Sequence, residues 1–190
     1  MHTAYIGIGS NLGDRQKNCL EAARLVGENS KIRVMAVSKW RETPPLAEIP
    51  RLNPKSQFQI PVPKPKSQFQ SPNSSSKSQI PVPNSKVQIP MYINGAMKIE
   101  TSFTPSELLG FLQGVEKRLG RARTGVKWED RTIDLDILFY DDLLINTPTL
   151  KIPHPELHKR MFVLEPLCDI EPGLIHPLMG VSVEQLKEKL

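Results

Sequence analysis

Two aspartates one residue apart, Asp134 and Asp136, sit in the run Arg131-Thr-Ile-Asp-Leu-Asp-Ile-Leu-Phe-Tyr140. Ile133, Leu135, Ile137 and Phe139 alternate with Thr132, Asp134, Asp136 and Leu138, the pattern of a strand. The period of two puts both carboxylates on one face, about 6.5–7 Å apart along the chain. Two acids so placed repel each other unless a cation lies between them. Hard oxygen ligands with room for water suit Mg²⁺ bridged to substrate phosphates. Arg121, Arg123, Lys127 and Arg131 lead up to the pair. Guanidinium forks beside a metal-holding acid pair are what phosphoryl transfer demands. The same charges also suit a solvated strand face neutralised by surface ion pairs. Trp128 lies in this cluster, in a segment without periodicity, and reads as a cover or stacking surface. His154 is wedged in Pro153-His154-Pro155, so it is either a ring held with little freedom or an exposed turn histidine.

Other chemistries lack their residues. The sequence contains no G-x-x-x-x-G-K-[ST], and Gly7-x-Gly9 lacks the rest of a dinucleotide fingerprint. Neither a zinc ligand set nor a Ser-His-Asp arrangement stands out among His2, His154, His158 and His176. Cys19 and Cys168 have no C-x-x-C spacing and read as small core residues in a reducing compartment. No apolar run reaches the ~18 residues of a membrane span. The opening Thr3-Ala-Tyr-Ile-Gly-Ile8 is strand-like instead of signal-like, so the cytoplasm is expected.

The net charge of +5 has a local origin. Residues 49–91 hold Arg51, Lys55, Lys64, Lys66, Lys77 and Lys86 and no acid, so elsewhere the acids outnumber the bases by one. That stretch also holds nine of the 18 prolines, and it repeats itself as Lys55-Ser-Gln-Phe-Gln-Ile-Pro-Val-Pro63, Lys66-Ser-Gln-Phe-Gln-Ser-Pro72, Lys77-Ser-Gln-Ile-Pro-Val-Pro83 and Lys86-Val-Gln-Ile-Pro90. Prolines this frequent remove backbone donors and fix φ, which predicts a disordered, polyproline-like insert in a single domain spanning 1–190. The insert is an inert passenger, a proline-motif docking site for a partner's aromatic groove, or a basic arm for nucleic acid.

Around the insert, the patterning predicts strands over 3–8, 32–43, 92–99 and 131–140, a hairpin partner strand over 143–145, and helices over 14–27, 159–169 and 183–190. Another helix begins with an N-cap at Thr104, Pro105 in the first helical position and Glu107 completing a capping box. In the strand after the insert, Tyr92 and Asn94 share the face opposite Ile93, Met97 and Ile99. The order β-α-β then β-α-β predicts an α+β, ferredoxin-like antiparallel sheet with flanking helices, packed on one face.

The elements Ala4-Tyr-Ile-Gly-Ile-Gly-Ser-Asn-Leu-Gly13, Thr43-Pro-Pro-Leu46, Tyr92-Ile-Asn94, Glu116 to Arg121, Arg131-Thr-Ile-Asp-Leu-Asp-Ile-Leu138 and Ile152-Pro-His-Pro155 through Arg160-Met-Phe162 resemble, in order and spacing, the 6-hydroxymethyl-7,8-dihydropterin pyrophosphokinases of folate biosynthesis. The resemblance implies transfer of the β,γ-pyrophosphoryl unit of ATP to the pterin's hydroxymethyl oxygen, releasing AMP. It implies two Mg²⁺ ions on Asp134 and Asp136, with Arg121 and Arg131 gripping the phosphates. Arg123, His154 and Arg160 become further nucleotide contacts, as do Gln113 and Glu116 on an exposed shoulder of the second helix. For the pterin, Tyr92 and Phe162 sandwich the ring, Asn94 pairs with its amide-like edge, Thr43 and Leu46 offer backbone groups, and Trp128 closes over the site. A planar heterocycle rich in donors and acceptors does call for stacking plus a side-chain amide.

Two departures stand out. The repeat fills a connection that is short in the family, and Lys127-Trp-Glu-Asp-Arg131 replaces the more usual Arg-Trp-Gly-Pro-Arg. Two rival readings remain. An RNA-binding ferredoxin-like module with a basic arm is opposed by acids on the open face and by the lack of the aromatic RNA-binding run. An inactive relative could also serve as a scaffold through its proline repeats.

Overall fold

Ala4, Ile6 and Ile8 point to one side of the first strand and Tyr5, Gly7 and Gly9 to the other, and the fold follows from how each side is covered. The computed structural model describes residues 1–44, 91–121 and 131–190. In chain order the elements are β1 (His2–Ser10), α1 (Arg15–Gly27), β2 (Ile32–Val37), β3 (Arg41–Thr43), β4 (Tyr92–Thr101), α2 (Pro105–Arg118), β5 (Asp134–Tyr140), β6 (Ile145–Asn146), β7 (Lys151–Ile152), α3 (Met161–Ile170) and α4 (Val183–Glu188). β1 lies between β4 and β5, antiparallel to both, and β2 and β3 pair in succession along the far edge of β4. This order, with α1 and α2 as the two crossovers, is the ferredoxin-like arrangement predicted by the β-α-β repeats.

Asp14 caps α1 by accepting from the Lys17 N–H. Thr104 and Glu107 form the expected reciprocal box at the start of α2. Both helices lay apolar stripes against one face of the sheet, Cys19, Ala22 and Val26 from α1 and Leu108, Leu112 and Val115 from α2, over Ala4, Ile6, Ile8, Met97, Ile99, Leu135 and Ile137. Cys19 is thus the small core residue its spacing suggested, and both cysteines are free thiols.

The opposite face is not bare, which corrects the expectation of helices on one side only. Tyr5, Ala96, Leu138 and Phe139 form a second core with Leu164 and Leu167 of α3 and Val183 and Leu186 of α4. A bulge explains the added apolar surface. Tyr5 pairs with Phe139 but Ile6 with Ile137, so the alternation of β5 changes phase and Phe139 joins Leu138 on the second face. Tyr140 then turns into the first core, where its hydroxyl donates to the Phe103 carbonyl at 2.5 Å.

Two further expectations change. The strand expected over 32–43 is two strands, because the Ser38 hydroxyl accepts from the Ala96 N–H at 2.9 Å, taking a ladder donor at the break. Trp40 packs there over Gly95, where a Cβ would sit 2.5 Å from the indole ring. The strand expected over 143–145 does not pair back on β5. Instead Ile145–Asn146 pairs with Lys151–Ile152, and the His154 N–H bonds the Leu138 carbonyl along the free edge of β5. Among the described residues no helix is long and apolar enough to cross a membrane. Of the predicted insert over 49–91, all but Met91 lies outside the described residues.

Candidate functional site

At one end of the sheet, the face that carries α3 and α4 is left to polar groups. The C-terminal ends of β1 and β3 meet the N-terminal ends of β4 and β5 there. Asn94 pairs with Gly9, which pairs in turn with Asp134, and Ala96, Gly7 and Asp136 form the next row. Two strand spacings set Asn94 and Asp134 about 9–10 Å apart. The residue between them is Gly9, and Gly7 holds the same place between Ala96 and Asp136, so the strand separating the two walls carries no side chain of its own on this face. A Cβ on Gly9 would lie 3.0 Å from Asn94 Oδ1, and one on Gly7 3.2 Å from the Leu138 side chain. At Gly9 the missing side chain keeps the backbone bare beside Asn94, and at Gly7 it makes room for the buried Leu138 side chain. Sequence reasoning set Gly7-x-Gly9 aside as a failed dinucleotide motif, and its two-residue period on a strand was the available signal.

One wall of the groove is the pair Asn94 and Thr43, joined by a bond from Asn94 Nδ2 to Thr43 Oγ1 at 2.7 Å. Asn94 is buried, and that bond leaves its carbonyl oxygen facing the groove floor at Gly9. Tyr92, half-buried at the start of β4, shares the face by strand alternation.

The other wall is ionic. Arg121 donates to Asp134 Oδ1 at 2.6 Å, and Arg131 to Asp134 Oδ2 at 2.8 Å. Arg121 also pairs with Glu116, whose Oε1 accepts the Leu135 N–H at 2.9 Å. Glu116 is buried, which corrects its placement on an exposed shoulder of α2: α2 turns it inward, toward the start of β5, where it holds Arg121 and the strand backbone. Gln113, one turn earlier, is half-buried and makes no hydrogen bond or ion pair among the described residues.

Asp136 differs from Asp134 in having no hydrogen-bond or ion-pair partner among the described residues. Burial, followed by the charges of Asp134 and Glu116, pushes its carboxyl up to about 7, against the opposing pull of Arg121 and Arg160. Three acids therefore crowd a site fringed by guanidinium groups, and Asp136 is the one without a countercharge in contact. Arg160 forms no ion pair among the described residues and lies with its guanidinium carbon 5.8 Å from the Phe162 ring centroid, at the start of α3. Burial and the Arg160 charge hold His154 below the usual imidazole range. Its Nδ1 accepts the Glu156 N–H at 3.2 Å, so the neutral ring carries its proton on Nε2.

The structure thus brings together Arg121, Arg131, Asp134, Asp136 and Glu116 in one cluster, with the Arg160 charge acting on both Asp136 and the neutral His154, and places Thr43, Tyr92 and Asn94 across the glycine floor. Leu46, Arg123 and Trp128 lie outside the described residues. The β1–α1 turn, absent from the sequence-based candidates, holds the cluster's frame: Ser10 Oγ donates to the Thr132 carbonyl at 2.6 Å, Asn18 Nδ2 to the same carbonyl at 3.1 Å, and Asn11 Oδ1 accepts the Arg131 N–H at 2.7 Å.

Residues 64–172 match the family model of 7,8-dihydro-6-hydroxymethylpterin-pyrophosphokinase, HPPK. The chain belongs to the HPPK family. The 2-amino-4-hydroxy-6-hydroxymethyldihydropteridine pyrophosphokinase of Bacillus subtilis is 34% identical to it over 88% of the chain and 77% of the relative. The namesake enzyme of Haemophilus influenzae is 30% identical over 99% and 93% respectively. Some HPPK relatives are far longer: the chain spans 38% of the bifunctional protein FolKE of Lactococcus lactis, with 34% identity. Among solved structures, an HPPK-DHPS of Plasmodium falciparum superposes with a TM-score of 0.65 at 17% identity, covering 99% of the chain and 45% of the longer protein, which shows the HPPK fold.

Proposed function

We propose that the chain transfers the β,γ-pyrophosphoryl group of ATP to the hydroxymethyl oxygen of 6-hydroxymethyl-7,8-dihydropterin, giving the pterin diphosphate and AMP. Family membership supports this reading. The observation that carries it for this chain is the Asp134–Asp136 pair, ringed by Arg121 and Arg131 and facing the Asn94–Thr43 pair across a floor of glycine.

The pterin wall selects a flat heterocycle. Tyr92 supplies one stacking surface and Phe162 the other. Asn94, oriented by Thr43, offers its carbonyl oxygen to a ring N–H, because its amide is already engaged. The ring's edge lies over Gly9 without meeting a side chain. Backbone groups at Thr43 and Leu46, and cover by Trp128, complete this proposed half.

The second half holds polyphosphate. Arg121 and Arg131, bound to Asp134, bring guanidinium charge to this half, and Arg160 forms no ion pair among the described residues. His154 offers an Nε2 N–H. Arg123, Gln113 and Glu116 complete the proposed nucleotide set, with Glu116 acting through Arg121. The donor set fits magnesium: two carboxylates on one strand face, one of them, Asp136, without a hydrogen-bond or ion-pair partner among the described residues and raised by burial and by the neighbouring acids, with the remaining ligands left to phosphate oxygens and water. Among the described residues no group of three or more His, Cys, Asp or Glu could hold a metal ion by itself. Asp134 and Asp136 would hold the two Mg²⁺ ions, which would supply neutralisation of phosphate charge and polarisation of the attacking hydroxyl.

The chemistry is one displacement. The hydroxymethyl oxygen forms a bond to the β-phosphorus, the bond from that phosphorus to the α,β-bridging oxygen breaks, and its electron pair leaves with AMP. The hydroxyl proton passes to solvent, with no side chain assigned as base. The chain's work is to align two substrates and to neutralise charge that accumulates on the bridging oxygen. An RNA-binding role is opposed by the acids that line the groove at the uncovered end of this face.

The test is AMP release from ATP with and without the pterin. AMP formation strictly dependent on the pterin and on Mg²⁺ supports the reading. Salt-sensitive RNA binding in the absence of Mg²⁺, without AMP formation, overturns it.

A further inference from the structure

The turn between β1 and α1 grips both walls of the groove, from opposite directions. Arg15, the first residue of α1, donates from Nη1 to the Met91 carbonyl at 2.5 Å, and its Nη2 lies 2.9 Å from Glu42 Oε1. Met91 immediately precedes Tyr92, and Glu42 immediately precedes Thr43. Thr43 and Tyr92 are the last pair of the β3–β4 ladder, and β3 is only three residues long. Arg15 therefore closes the open end of the ladder that carries Asn94 and its Thr43 partner. The Arg15–Glu42 pair is solvent-accessible, with side chains 30% and 51% exposed, so it adds little to global stability and its effect falls on alignment.

Four residues earlier, Asn11 holds the other wall. Its Oδ1 accepts the Arg131 N–H, and its own N–H donates to the Arg131 carbonyl at 3.2 Å. That two-point hold fixes the backbone from which the Arg131 side chain reaches Asp134. Ser10 and Asn18 lock the next carbonyl, at Thr132. One short turn is thus hydrogen-bonded to the backbone beside Asn94 on one side and beside Asp134 on the other.

We infer that the β1–α1 turn is a gauge that fixes the spacing of the two walls, with Arg15 a positioning residue for the pterin side and Asn11 a positioning residue for the phosphate side. The assignment of the two sides rests on the proposed pyrophosphokinase reading. The geometric coupling does not. Arg15→Ala lets the β3–β4 end open, so the Thr43 hydroxyl no longer orients the Asn94 amide. Asn11→Ala lets the Arg131 backbone shift while leaving the β3–β4 ladder closed.

The experiment uses the full chain and two readouts. In steady-state kinetics, Arg15→Ala raises KM for the pterin by about 3- to 10-fold, the span of one hydrogen bond, while KM for ATP stays within about twofold. Arg15→Lys, whose single ammonium cannot fork between Met91 and Glu42, recovers part of the loss. Asn11→Ala lowers kcat and leaves the pterin KM in place, and Asn11→Asp, which keeps the acceptor for the Arg131 N–H, recovers part of kcat. In two-dimensional NMR of the free protein, Arg15→Ala moves the Asn94 side-chain amide resonances and not the Arg131 backbone amide, and Asn11→Ala does the reverse. The NMR pattern needs no substrate, so it stands or falls separately from the activity. A wild type without turnover defeats the functional reading alone. Variants that move both sets of resonances alike, or neither, defeat the gauge.

Discussion

Replacing Glu116 by alanine removes one end of a buried ion pair and one acceptor of a buried backbone donor. The Glu116 side chain is 3% exposed and that of Arg121 12%. Removing one partner of a buried pair costs about 3–5 kcal/mol. Arg121 keeps Asp134 at 2.6 Å, which places the ionic loss near the lower end of that range. The Leu135 N–H, which Glu116 accepts at 2.9 Å, is left without that acceptor, adding about 1 kcal/mol. The expected loss is therefore about 4 kcal/mol, a large fraction of the ~5–15 kcal/mol that holds a domain together. Glu116→Gln keeps the Leu135 bond and the side-chain volume, losing only the charge, and should cost about 1.5 kcal/mol. Urea unfolding followed by circular dichroism at pH 7.5, read as a midpoint shift at unchanged slope, measures both. A cost below about 0.5 kcal/mol for the alanine variant, the value of an exposed helix position, would refute the assignment of Glu116 as an interior anchor. Equal costs for alanine and glutamine would refute the weight given to the Leu135 bond.

Three other expectations follow from particular contacts. Gly95→Ala places a methyl 2.5 Å from the Trp40 ring and should destabilise by about 1–3 kcal/mol in the same unfolding assay, with Trp40 fluorescence shifted as the indole is displaced. Tyr92→Ala should weaken binding of the pterin far more than that of ATP in calorimetric titration, and equal weakening would argue against a stacking role. Asp169 is held below the usual carboxylate range chiefly by the Arg41 fork, at 2.5 and 2.8 Å. A depressed folded pKa gives stability that is present above the unfolded value, about 3.9, and is lost as pH falls through the folded one. Asp169→Asn should therefore be less stable than wild type at pH 7, and the difference should shrink below pH 4 in thermal melts. A constant difference from pH 7 to pH 2 would contradict the ion pair.

Local rules in the sequence were enough for α2, because Thr104, Pro105 and Glu107 specify a helix start without tertiary help. They were also enough for the shared face of Tyr92 and Asn94 and for the acid pair, since strand alternation needs no partner to be read. Long-range facts were not legible. The bulge between Tyr5 and Ile6 is a property of two strands in register, so the change of phase at Phe139, and with it the second apolar face that α3 and α4 cover, could not be read from β5 alone. Glu116 looked exposed because helical periodicity says which stripe is apolar, whereas its burial comes from Arg121 and the Leu135 N–H converging on it. Arg15 and Asn11 have no assignable role in the sequence for a similar reason: the Met91 carbonyl and the Arg131 N–H that they hold lie 76 and 120 residues away. The glycine floor was visible in composition, but its meaning depends on Asn94 and Asp134 standing on either side of it.

The most direct measurement is the rate of AMP formation from ATP, with the hydroxymethyl-dihydropterin and Mg²⁺ supplied, in the wild-type chain and in Asp136→Ala. The account predicts one AMP released per pterin diphosphate formed by the wild type, abolished by chelation of Mg²⁺, and no detectable turnover in a variant whose circular dichroism spectrum is unchanged. A wild-type rate in Asp136→Ala, or AMP release that ignores the pterin, would contradict it.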